Sequence, residues 1–144
     1  MYSKSSNVSK HPIKIANNDC LLRHIMNYMY AYSVGKPTEA AFQRSELLGN
    51  GLSVSIERLL SNNILKFVIK DLEKGKHQFI CNYKTMVQAV INIHCNGNNA
   101  FDINHTPTLL NPSHADIKFS NYIGSLTPLM QKKYRKELMD VFKP

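Results

Sequence analysis

Tryptophan is absent from the 144-residue chain, cysteine occurs three times, and glycine and proline six times each. Each shortage excludes something. With no tryptophan, no RNP-type aromatic motif and no recognisable helix-turn-helix, a base-reading surface is unsupported. Cys20, Cys81 and Cys95 are odd in number, widely spaced and without a CxxC pair, which argues against a disulfide framework and suits a reducing compartment. No apolar run approaches the roughly 18 to 20 residues that a spanning helix needs. Met1 to Lys14 lacks the apolar segment of a signal peptide, so the expected location is the cytoplasm, with no membrane contact. The sequons at Asn7 and Asn104 then read as chance matches. No P-loop, GxGxxG, GxSxG or HExxH pattern occurs. His94, Cys95, His105 and His114 do not have the spacing of a structural zinc site, so neither a metal nor a cofactor is expected.

What is present is ordinary for a globular protein: 43% hydrophobic, 19% charged and 9% aromatic residues, in a length that suits one domain. Residues 1–18 hold lysine, serine and asparagine but no acid, and read as a flexible or loosely docked basic arm ahead of a single domain over 19–144.

The apolar spacing of Leu22, Ile25, Met26, Met29 and Tyr30 favours a helix capped by Asp19, with a strand over Leu21 to Met26 as the alternative. Leu52 to Ile56 alternates apolar and polar residues, with Ser53 or Ser55 as a cap for a short helix to Leu60 that Asn62 and Asn63 end. Ile64 to Leu72 fits a strand or a helix equally. His77 to Tyr83 reads as a strand, followed by Thr85 capping a helix over Met86 to Ile93, and Phe101 to Asn104 reads as another strand. Asn111-Pro112-Ser113 forms a turn into a strand that places Ala115, Ile117 and Phe119 on one face and His114, Asp116 and Lys118 on the other. Thr127 and Pro128 open a C-terminal helix with a stripe of Met130, Tyr134, Leu138, Val141 and Phe142. The expected fold is α+β: a small mixed or antiparallel sheet, a few helices and a C-terminal amphipathic helix.

Three polar spots stand out as chemistry: Arg23-His24 inside an apolar segment, Ser53 and Ser55 in the alternating stretch, and His114 after a proline turn. Arginine grips phosphate or carboxylate bidentately, histidine moves a proton near neutral pH, and serine orients a ligand hydroxyl. Arg23, Ser53 and His114 are the catalytic candidates. Each has a plainer reading: Arg23 as an ion pair with Glu39 or Glu46, Ser53 as a helix cap, His114 on a solvated face.

The order Leu22-Arg23, Ala40-Ala41-Phe42, Leu52-Ser53-Val54 and Asn111-Pro112-Ser113-His114-Ala115-Asp116-Ile117 resembles a pattern in a family of small uncharacterised bacterial proteins, with Thr38-Glu39 departing from its serine-rich lead-in. That resemblance implies Arg23, Ser53 and His114 as site residues and brings no reaction with it. An early arginine before a serine-bearing strand also resembles the layout of ADP-ribosyltransferase-like folds, which hold NAD. The late catalytic glutamate of that group has no counterpart among Asp102, Asp116, Glu137 and Asp140.

Eighteen lysines and arginines against ten acids give a net charge of +8, which points to a polyanionic partner. The charge is uneven. Lys4, Lys10 and Lys14 supply +3, the last fifteen residues hold five basic groups against two acidic, and residues 19–129 have ten against eight. Lys132, Lys133, Arg135 and Lys136 on the C-terminal helix are the candidates for contact with nucleic acid or an acidic protein. The leading expectation is polyanion binding, to nucleic acid or a nucleotide-like ligand. The alternatives are an enzyme on a nucleotide or NAD-type substrate through Arg23, Ser53 and His114, and a partner-binding module of a toxin, defence or phage-related system.

Overall fold

A computed structural model describes residues 11–144. The elements in chain order are β1 (Cys20–Met26), β2 (Tyr30–Ala31), β3 (Lys36–Pro37), α1 (Arg44–Leu48), β4 (Leu52–Ile56), α2 (Asn62–Leu72), β5 (Phe79–Met86), α3 (Val87–Ile91), β6 (His94–Cys95), β7 (Asn98–Asn99), β8 (Phe101–His105), β9 (His114–Phe119), α4 (Asn121–Gly124) and α5 (Pro128–Val141). Five strands form one antiparallel sheet in the order β5-β1-β4-β9-β8, and two short hairpins, β2-β3 and β6-β7, stand beside it. The fold is α+β, with the C-terminal helix in place.

The two faces of the sheet differ in chemistry because side chains alternate along each strand. Leu21, Ile25, Leu52, Val54, Ile56 and Ile117 are at most 1% exposed and join the core beneath α5, which contributes Tyr134 and Leu138. The opposite face carries His24, Asn82, Ser53, Ser55, His114 and Asp116, brought side by side by the register pairs His24–Asn82, Ser53–Asp116 and Ser55–His114. Polar residues at alternate positions thus become one continuous surface.

Several expectations are corrected. Residues 20–26 form a strand, not a helix. Their apolar residues recur because β1 lies inside the sheet with six of its seven residues buried, and a strand covered on both faces mimics helical spacing. Residues 62–72 form a helix, capped by the Ser61 hydroxyl accepting from the Ile64 amide at 3.3 Å, so Asn62 and Asn63 open a helix where they were expected to end one. Neither Ser53 nor Ser55 caps the short turn over Glu57–Leu59, whose N-cap is Ile56. Thr85 does not cap α3 either; its hydroxyl donates to the Met86 carbonyl. The C-terminal helix matches: Thr127 accepts from the Met130 amide and Pro128 is at the first position. Its buried side is broader than the apolar stripe and includes Gln131 and Arg135.

The first ten residues of the N-terminal arm lie outside the described residues. Over the rest, Ile13 N–H donates to His105 Nδ1 at 2.9 Å, Ala16 N–H donates to Asp19 Oδ2 at 2.8 Å, and the Asn17 carbonyl accepts from Gln88 N–H at 2.9 Å. Asp19 in turn is gripped by Arg58 through both carboxylate oxygens. Burial raises the Asp19 carboxyl, and the Arg58 bond outweighs it to leave the group below the ordinary range.

Candidate functional site

A cavity of about 710 Å³ opens on the polar face of the sheet. Its floor is Arg23, His24, Ser53 and Ser55; α2 supplies one wall through Phe67, Val68, Asp71 and Leu72, and the loop Thr108–Asn111 with His114 supplies the other. The walls are mostly apolar, and Phe67, Leu72, Leu109 and Leu110 remain partly exposed. The three candidates from the sequence, Arg23, Ser53 and His114, all line this cavity.

His114 Nε2 is 3.2 Å from Ser53 Oγ. On the other side of the ring, Nδ1 is 3.1 Å from the Thr106 carbonyl and 2.8 Å from Thr106 Oγ1. A carbonyl can only accept, so Nδ1 carries a proton, and in the neutral ring Nε2 accepts from the Ser53 hydroxyl. Thr106 Oγ1 donates to Asp116 Oδ2 at 3.1 Å, and Asp116 Oδ1 is 3.9 Å from His114 Nε2. The order hydroxyl, imidazole, hydroxyl, carboxylate has the logic of an activated nucleophile whose base is oriented from behind.

A second pair lies deeper. Ser55 Oγ is 2.8 Å from His24 Nε2, and His24 Nδ1 is 2.6 Å from Asn82 Oδ1. The amide oxygen fixes the proton on Nδ1 and leaves Nε2 to accept from Ser55. Burial holds the His24 imidazole below its usual pKa, reinforced by the cation of Arg23 and opposed by the Asn82 bond, so the ring is held neutral. Ser55 is 2% exposed, whereas Ser53 is open to the cavity.

Arg23 has a different task from the one its chemistry suggests. Register pairing between β1 and β4 is confined to Leu21–Ile56 and Leu22–Ser55. Past these pairs Arg23 Nη1 donates to the Ser53 carbonyl at 2.9 Å and Nε donates to the Ala41 carbonyl at 2.9 Å, while Nη2 is 3.7 Å from Glu46 Oε1. The guanidinium replaces a ladder bond where the strands part, and burial lowers its pKa from the free value. Its ion pair is with Glu46; Glu39 instead pairs with Arg135 at 2.7 Å.

The four basic residues of α5 do not form one patch. Arg135 is buried, Lys136 pairs with Asp140 at 3.1 Å along the helix, and Lys132 and Lys133 are exposed. Sequence reasoning noticed His24 and Ser55 but not that they pair, and it missed Asn82, Thr106 and the α2 wall. Once residues 20–26 are a strand, alternation alone places His24 beside the serines. Among the described residues no cluster of histidine, cysteine and carboxylate side chains could hold a metal, and no helix is long and apolar enough to cross a membrane. Protein-family models, curated proteins and solved structures offer no match to this chain.

Proposed function

We propose that the protein is an enzyme acting on a small, largely apolar substrate with an electrophilic centre, by nucleophilic attack from Ser53. The observation that carries this reading is the 3.2 Å contact between Ser53 Oγ and His114 Nε2 inside the cavity. Attack of Oγ on an acyl carbon forms an ester bond as its proton passes to His114 Nε2. The leaving group takes that proton, and water, activated by the same nitrogen, releases the acyl group. Asp116, through Thr106, supports the imidazolium formed between the two steps. The aliphatic and aromatic walls favour an apolar body over the nucleotide or NAD-type substrate expected from sequence, because Arg23, the one lysine or arginine on the cavity floor among the described residues, is occupied by protein carbonyls.

The test is covalent labelling by an alkyl fluorophosphonate, read by intact mass. One adduct on the native chain, none on Ser53→Ala, and labelling at least roughly a hundredfold slower on His114→Gln are expected. Equal labelling of native protein and Ser53→Ala, or none on either, overturns the reading. Polyanion binding retains one supporting observation, the exposed pair Lys132 and Lys133, and is tested by salt dependence below.

A further inference from the structure

We infer that Arg44, Lys132 and Arg135 form an oxyanion site for phosphate or the phosphoryl group of a small phosphomonoester, separate from the Ser53 cavity. These three cations line a concavity of about 440 Å³ between the Glu39–Ala41 turn, α1 and α5, with Glu39 as the sole carboxylate in the lining among the described residues.

Two features make this more than a charged surface. The Arg135 side chain is only 8% exposed; its Nη2 donates to Glu39 Oε1 at 2.7 Å, but its buried Nη1 has no hydrogen-bond partner among the described residues. An unpaired buried guanidinium nitrogen is costly, and an oxygen acceptor that reached it through a small shift of the surrounding side chains would remove that cost. Glu39, whose side chain is 79% exposed, engages Nη2 and leaves Nη1 without an acceptor among the described residues. Arg44 is held in advance: its Nη1 donates to Gln131 Oε1 at 2.7 Å, and Gln131, 4% exposed, donates Nε2 toward the carbonyls of Ile123, Gly124 and Leu126 at 3.2–3.3 Å. That network fixes the amide so that its oxygen faces Arg44. Two guanidinium groups on one concavity are the donor type that suits a phosphoryl group, and Lys132 adds a third charge from the exposed side of α5. A nucleic-acid backbone fits less well, because Lys136 is paired along the helix and Lys133 lies over the Tyr134 ring at 5.3 Å.

Isothermal titration with inorganic phosphate, at ionic strength held constant with chloride, tests the site on the full chain. Saturable binding is expected, weakened about tenfold or more by Lys132→Glu and by Arg44→Gln, and unchanged by Ser53→Ala. Lys132 is exposed, so its variant decides the matter if Arg44→Gln folds poorly by circular dichroism. No saturable heat with native protein, or equal affinity in the native chain and Lys132→Glu, overturns the site. A short RNA that binds with a steep salt dependence abolished by Lys132→Glu, where phenyl phosphate does not bind, overturns the choice of a small phosphomonoester.

Discussion

Single side chains do more structural work here than their types announce. Arg23 invites a ligand-binding reading because a cation among Leu21, Leu22 and Ile25 needs a partner, and the partners prove to be carbonyls. Which acceptors a buried arginine finds depends on where two strands part, and no local sequence signal records that. Arg23→Met leaves the carbonyls of Ala41 and Ser53 unpaired and should cost about 2–4 kcal/mol, read as a lower urea midpoint. Arg23→Lys should recover only part of this, since an ammonium lacks the planar fork, and a Met variant as stable as the native chain would contradict the account. His24 yields a pH prediction. Its folded pKa lies below the unfolded value, so the unfolded chain binds the extra proton; the stability that depends on a neutral ring is present above about pH 6.5 and drains away as the pH falls below it. Urea midpoints measured from pH 7.5 downward should show this decline, and His24→Gln should flatten it.

At the level of elements, alternation was readable in β4 and β9, each with one face toward the core, and misleading in β1, buried on both. The same property hid α2 in the opposite sense: its apolar residues are dense enough to pass for a strand, and only the Ser61 cap marks a helix start. Between α1 and β4 the chain turns at Gly51, with φ at +104°, where an added Cβ would lie 2.7 Å from Asp116 Cβ. That glycine lets β4 approach the carboxylate that holds Thr106 behind His114. Gly51→Ala should therefore destabilise the fold by about 1–3 kcal/mol and, in the same variant, slow labelling of Ser53 by displacing Asp116. A variant that loses stability but labels at the native rate would show that Asp116 does not orient the base.

Along the whole chain, most of the +8 lies in the first eighteen and last fifteen residues, with a nearly neutral stretch between them, a division legible from sequence alone. Sequence could not show that Arg135 turns inward, because a basic residue on a helix is buried only when a distant carboxylate, here Glu39, meets it. With Lys132 and Lys133 left exposed, affinity for mixed RNA should be weak, and the slope of log affinity against log salt should fall by about 1 to 2 in Lys132→Ala/Lys133→Ala. An unchanged slope would exclude α5 as the contact. The sequence picked out Arg23, Ser53 and His114, which line one cavity, but not the cavity itself, since its walls come from α2 and a loop far apart in sequence.

Lys84 and Lys143 exchange backbone hydrogen bonds of 2.7 and 2.8 Å, laying the chain's last residues along the free edge of β5, with Phe142 anchored 5.1 Å from Phe42. An uncovered edge strand is a template for pairing with another chain. Those residues therefore occupy the edge at Lys84, where another strand would otherwise pair. Removing residues 143 and 144, which spares the core residue Phe142, should leave a protein that self-associates with rising concentration in analytical ultracentrifugation.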